Sequence, residues 1–156
     1  MINTTDNAAT QEPVRRVDRL LAHYAASHRH PTNERIHCIA IPCIMLSLIG
    51  LLYAASPPAA LLFLAASLVY YWRLSAVFLL SMMVVTLCML VIVAALHAKG
   101  ILLPTSLALF VVAWVFQFVG HRIEGKKPSF FEDVQYLWVG PLFVLSLLFN
   151  KVGLRW

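Results

Sequence analysis

Polar and apolar positions divide this chain sharply. From Ile36 to Gly120 the residues are almost continuously apolar: no carboxylate lies between Glu34 and Glu124, and the only formal charges between Ile36 and Gly120 are Arg73 and Lys99. Breaks fall at Ser56-Pro57-Pro58, at Trp72-Arg73 and at His97-Ala98-Lys99-Gly100. A membrane-spanning helix needs about 20 apolar residues, so the pattern predicts spans over about 36–55, 58–72, 74–96 and 101–120. In front of them, Val14, Val17, Leu21, Tyr24 and His28 recur at three- and four-residue steps, while Arg15, Arg16, Asp18 and Arg19 occupy other faces. That spacing predicts an amphipathic helix from Pro13 to His28, suited to the membrane interface. Pro31 ends it, because the residue before a proline is pushed out of the helical region, and Thr32 or Asn33 is placed to cap the next helix. Behind the spans, Leu137 to Phe149 is apolar but too short to cross upright, and Gly140-Pro141 interrupts it. A bent interfacial or re-entrant segment over about 137–149 is expected there.

The fold class follows: all-α, a polytopic membrane helical bundle of about four transmembrane helices, with an N-terminal amphipathic helix and a C-terminal short apolar segment. Composition agrees. The chain is 61% hydrophobic and 12% charged, far from the roughly 45–50% and 25% of soluble domains. Its 156 residues suffice for one bundle, so residues 1–12, which are polar, read as a disordered N-terminus and residues 13–156 as a single membrane-embedded domain. The first span is expected to serve as the insertion signal. Cys38, Cys43 and Cys88 form no Cys-x-x-Cys pair and lie in apolar segments, so they read as small packing residues without a disulfide.

The formal net charge is +5, but the basic residues flank apolar spans instead of forming one run. That favours a membrane surface over nucleic acid. Arg15, Arg16, Arg19, Arg29 and Arg35 precede the first span, Arg73 follows the second, and Arg122, Lys126 and Lys127 follow the fourth; the opposite side carries only Lys99. By the positive-inside rule both termini are cytoplasmic. No targeting signal decides between a bacterial inner membrane and, in a eukaryote, the endoplasmic reticulum.

This topology makes a chemical prediction. His37 enters the first span and His121 leaves the fourth, so both lie at the cytoplasmic end beside His28. On one continuous helix His28 and His37 would stand about 180° apart and roughly 13 Å along the axis, too far to share an ion, but a turn at Pro31 can unite them. Neutral imidazole is the commonest protein metal ligand and suits iron, zinc or copper. Asn33 lies four residues before His37, and Gln117 and Glu124 lie four before and three after His121, so each set can share a helix face. Glu124 reads as a fourth ligand or, with more weight, as a support behind an imidazole. His23, His30 and His97 read as interfacial residues. Pro31, Asn33 and Gly120 also have plain roles as turn, cap and packing residues. Arg122, Lys126 and Lys127 read as topology determinants, or as a patch that attracts an anionic head group. There is no His-Glu-x-x-His, phosphate loop or Gly-x-Ser-x-Gly, and six scattered histidines do not match the clustered boxes of membrane di-iron desaturases.

His28-x-x-Pro31-x-Asn33-x-x-x-His37, followed by Ile-Ala-Ile-Pro42 and a span, and then Gln117-Phe-x-Gly120-His121-x-x-Glu124-x-Lys126-x-Pro128, resembles the 2-hydroxy fatty acid dioxygenase family of fatty-acid α-oxidation, known from phytosphingosine breakdown. The resemblance covers Tyr24 to about Pro128. It implies an Fe(2+)-dependent membrane enzyme that takes a 2-hydroxy fatty acid and dioxygen, cleaves the C1–C2 bond and releases a fatty acid one carbon shorter. It puts forward His28, His37 and His121 as iron ligands with Asn33 and Glu124 in support; Gln117 and His30 stand as further supporting residues or alternative ligands. Two departures are visible. Ala40-Ile41-Pro42 stands where the family often has glycine before the proline, and His30 is an extra histidine beside the turn. The rival reading is a non-enzymatic membrane adaptor or assembly protein with interfacial histidines. A bis-histidine haem protein is another, and a transporter is disfavoured because the spans lack a buried carboxylate. The pattern leaves substrate chain length, free acid against thioester, reductant and oligomeric state open.

Overall fold

The computed structural model describes residues 14–125 and 136–156. The expected disorder of residues 1–12 and the side chains of Lys126 and Lys127 lie outside the described residues. Within them the chain forms six helices: α1 (Arg16–Ala25), α2 (Pro31–Ala55), α3 (Pro57–Trp72), α4 (Ala76–Ala98), α5 (Leu102–Ile123) and α6 (Val139–Val152). No strand occurs among the described residues. The all-helical class expected from the apolar pattern is the one observed.

Of the four expected spans, three lie in helices long and apolar enough to cross a membrane: α2, α4 and α5. The other expected span is α3, whose 16 residues reach about 24 Å at 1.5 Å per residue, short of the roughly 30 Å of hydrocarbon. The outward face of α4 shows what surrounds the bundle. Leu80, Val84, Leu87 and Val91 recur along one side and are each more than 60% exposed. Phe78, Met82, Met89 and Val93 on the other side are buried. A helix apolar all round with one face uncovered fits a lipid surround and not water.

Local chemistry sets the breaks. Ser56 ends α2 in an extended conformation and its hydroxyl accepts the Ala59 amide to start α3, with Pro57 at the first position. At the other end of α2 the cap differs from expectation. His30, not Thr32 or Asn33, is the N-cap: it is extended at φ −76°, ψ 123°, and its ring Nδ1 accepts the Thr32 amide at 3.2 Å. Pro31 dictates this, since it restricts its predecessor and itself fits the first helical position.

α2 and α5 run antiparallel through the centre of the bundle, close at both ends of their contact. At one end Gly50 faces Ser106, and at the other Gly120 faces Asn33; a β-carbon on either glycine would overlap the facing side chain. Without a hydrophobic driving force between helices in lipid, such close backbone approach is a main source of cohesion.

The terminal helices pack on each other. Val17, Leu21 and Tyr24 of α1 join Leu142, Phe143 and Phe149 of α6 in one buried cluster. Arg15 pairs with Asp18 at 2.8 Å and donates to the Trp156 carbonyl, and the Trp156 indole donates to Asp18 at 3.3 Å. The amphipathic stripe of α1 thus meets protein. Two sequence expectations shift here. α1 ends at Ala25, so His28 stands in the turn between α1 and α2. The C-terminal segment is a continuous 14-residue helix, because Gly140 and Pro141 fall in its first turn, where no intrahelical N–H is required.

Candidate metal centre

Three elements converge at one end of the bundle. The turn after α1 brings His28, the second turn of α2 brings His37, and the last turn of α5 brings His121, since α5 continues to Ile123. All three side chains are buried. Their ring centroids lie 4.3 Å (His28–His37), 5.0 Å (His37–His121) and 5.6 Å (His28–His121) apart. One ligating nitrogen from each falls within 4.8 Å of the others. Among the described residues no other group of three His, Cys, Asp or Glu side chains is so close.

Two of the rings are held in a defined tautomer. His28 Nδ1 lies 2.8 Å from the Tyr24 carbonyl and His37 Nδ1 lies 3.0 Å from the Asn33 carbonyl. A carbonyl only accepts, so each Nδ1 carries the proton and donates it, which leaves the lone pair of the neutral ring on Nε2. Metal-binding histidines are oriented in this way by a backbone acceptor behind the ring. The Tyr24 ring stacks on His28 at 4.2 Å and 9°, and Phe143 of α6 lies 5.8 Å away. Aromatic carbon from two elements thus flanks one imidazole.

Glu124, just past the end of α5, makes none of this direct contact. Its carboxylate accepts the Arg29 amide at 2.9 Å, the His30 amide at 2.9 Å and the Asn33 side-chain Nδ2 at 3.0 Å. It ties the His28 turn and the start of α2 to the end of α5, and it is absent from the histidine group. Burial works against its charged form, but the N–H donors of His30, Asn33 and Arg29, with His28 nearby, outweigh that and hold its pKa below the ordinary value. Gly125 follows with φ +75°, the left-handed stop that ends the helix at this strap.

The other sequence candidates fall around this core. Asn33 is fully buried, with its amide on Glu124 and its backbone carbonyl on His37. Gln117 is buried one turn below His121 and borders a space of about 20 Å³ together with Tyr24, Ile41 and Trp114. His30 is exposed and caps α2. His23 and His97 are exposed, beside Tyr136 and Tyr53 respectively. Arg122 is exposed, and Lys126 and Lys127 lie outside the described residues. Sequence reasoning missed the aromatic wall. Tyr24 was legible as a position four residues before His28, but the approach of Phe143 depends on α6 folding back.

The donor set fits a metal ion. Nitrogens bonded to one first-row ion at about 2.1 Å can be at most about 4.2 Å apart, so small ring rotations from the present separation suffice. Three neutral imidazoles with no carboxylate among them bring no negative charge, and three ligands leave further coordination positions open.

The family model described as 2-hydroxy-palmitic acid dioxygenase Mpo1-like matches residues 14–152. The chain is similar to the 2-hydroxy-palmitic acid dioxygenase MPO1 of Saccharomyces cerevisiae, 29% identical over an alignment of 138 positions that covers 85% of this chain and 79% of the yeast one. No solved structure matches it.

Proposed function

This chain belongs to the Mpo1-like family, and from that premise we propose that it is an Fe(2+)-dependent membrane dioxygenase that cleaves the C1–C2 bond of a 2-hydroxy fatty acid to give a fatty acid one carbon shorter. The observation that carries the reading is the gathering of His28, His37 and His121, buried, within 4.8 Å. In this reading those three side chains hold the ion. Bound ferrous iron supplies dioxygen activation and a Lewis-acid template for the vicinal oxygens of a 2-hydroxy carboxylate. Because the three imidazoles are neutral, they would leave the charge of the ion uncompensated and so favour an anionic substrate at this site.

The remaining roles belong to the chain itself. The carbonyls of Tyr24 and Asn33 keep the Nδ1 protons of His28 and His37 and so present Nε2. Tyr24 and Phe143 keep water from His28. Glu124 holds the turn against α5 without touching the ion. Arg122, with Lys126 and Lys127, draws the anionic head group to this end of the bundle. The acyl tail stays in the bilayer, which matters because each methylene is worth about 0.8 kcal/mol in an apolar medium. The centre lies at the cytoplasmic surface with both termini on that side, in a bacterial inner membrane or the endoplasmic reticulum.

The test is metal content by mass spectrometry on anaerobically purified protein, with 2-hydroxypalmitate turnover measured on the same samples. Near-stoichiometric iron in the wild type, lost in His28→Ala, His37→Ala and His121→Ala together with formation of the C15 acid, is the expected result. Iron-free wild-type protein that stays inactive after ferrous reconstitution would overturn the reading and leave the adaptor in front.

A further inference from the structure

Across the α2–α5 seam from the histidines, the outer faces of these two helices enclose a groove of about 360 Å³, within the range of sites that accept small molecules. Its walls are carbon for most of their length, from Ile39 and Cys43 on α2 and from Leu109, Val112 and Phe116 on α5. Its polar residues lie together at one end: Thr32 and Arg35. Among the described residues the one side-chain ion pair joins Arg15 to Asp18, so no described carboxylate pairs with the Arg35 guanidinium.

The groove is registered on the metal centre. Arg35 and Ile36 immediately precede His37, and a β-carbon built on Gly120 would lie 3.4 Å from both His37 Cε1 and Ile36 Cγ2. Ile36, which lines the groove, and His37, of the histidine group, thus lie side by side against Gly120. The lipid-facing side of α4 gives a contrast within the same molecule: Leu80, Val84 and Leu87 stand exposed there with no charged residue beside them.

We propose that this groove docks the acyl chain of a single-chain anionic lipid, the long-chain 2-hydroxy acid itself, with Arg35 meeting its carboxylate at the height of the histidines. The proposal rests on the functional reading above and adds the position at which the substrate is taken from the bilayer. A tail lying between α2 and α5 never leaves an apolar surround, so loading avoids the extraction cost. Charge complementarity separates this occupant from a neutral lipid, because a carboxylate gains from Arg35 what an ester does not.

The test is photo-crosslinking on the full chain in neutral-lipid nanodiscs, under anaerobic conditions, with 2-hydroxyhexadecanoate carrying a mid-chain diazirine and a terminal alkyne. Its methyl ester is run beside it. Adducts are expected on α2 from Ile39 to Cys43 and on α5 from Leu109 to Phe116. Arg35→Gln should lower the acid's yield about threefold to fivefold, the upper range for an exposed ion pair, and leave the ester's unchanged. Val112→Trp, at an exposed position that the fold does not need, should lower both by filling the groove. Adducts spread evenly over lipid-facing positions such as Leu80 and Val84, or equal yields from acid and ester in the wild type, would overturn the proposal. Iron content and turnover on the same samples separate the two readings. Iron-free, inactive protein with the groove pattern keeps the dock and removes the dioxygenase; active iron protein with scattered adducts does the reverse.

Discussion

Gly120 and Asn33 meet so closely that a β-carbon on the glycine would overlap the asparagine amide oxygen. This contact sets the distance between the helices that carry His37 and His121. In Gly120→Ala the Asn33 side chain has to turn, and turning it withdraws Nδ2 from Glu124. Overpacking of this kind costs about 1–3 kcal/mol, which thermal unfolding in detergent will register as a lowered Tm. Iron content should fall in the same variant, because the rings separate. An alanine variant with wild-type Tm and iron would show that the seam yields elsewhere.

Glu124 should behave as a strap and not as a ligand. Glu124→Gln keeps the size but offers one acceptor oxygen where two receive three N–H donors, and turns an NH2 group toward a donor. Hydrogen bonds to a charged group are worth about 1.5–3 kcal/mol, with the lower end expected at this partly exposed site. Both Glu124→Gln and Glu124→Ala should therefore lower Tm and weaken iron retention, while excess ferrous ion restores occupancy. Loss that excess iron cannot restore would mark Glu124 as a ligand.

The same carboxylate predicts a pH dependence. Its folded pKa lies below its ordinary value of 4.5. Its contribution to stability is therefore fully present above that value and is lost as pH falls from there through the lowered folded pKa, where the unfolded chain takes up the proton first. The gap in Tm between wild type and Glu124→Gln should be constant from neutral pH to about 5 and close below 4.5. A gap that persists at the acid end would trace the strap to packing and not to charge.

The sequence revealed these parts unevenly, for physical reasons. The positions of His28, His37 and His121 were legible because span counting places the entry of the first span and the exit of the fourth on one side, whatever the packing inside. Asn33 and Glu124 were legible as neighbours of the histidines by helical spacing. Their bond to each other was not, since it joins residues 91 apart through a contact only the α2–α5 geometry defines. His30 as cap was misjudged for Thr32 or Asn33 because capping preference was weighed without the demand Pro31 makes of its predecessor. The role of α6 was hidden for a related reason: the apolar run Leu137 to Phe149 says nothing about which face meets α1, and that meeting places Phe143 against His28.

His30 and His37 should separate cleanly when each becomes alanine. His30 is exposed; its ring accepts one amide hydrogen bond, and its backbone bond to Glu124 survives substitution. His30→Ala should cost about 0.5–1 kcal/mol as a lost cap and keep full iron. His37 is fully buried and its Nδ1 is engaged at the Asn33 carbonyl, so His37→Ala removes a ligand and opens a space beside the other two rings. An ion that binds only the folded state stabilises it by about 2.7 kcal/mol at one hundred times its dissociation constant. Ferrous ion added anaerobically to apoprotein should therefore raise the Tm of the wild type and of His30→Ala by the same amount, and leave His37→Ala where it was. The difference is read within each variant with and without iron, so whatever stability His37→Ala loses on its own does not enter. Equal stabilisation of His37→Ala would place the ion elsewhere; loss of stabilisation in His30→Ala would move the cap residue into the coordination sphere and displace one of the buried three.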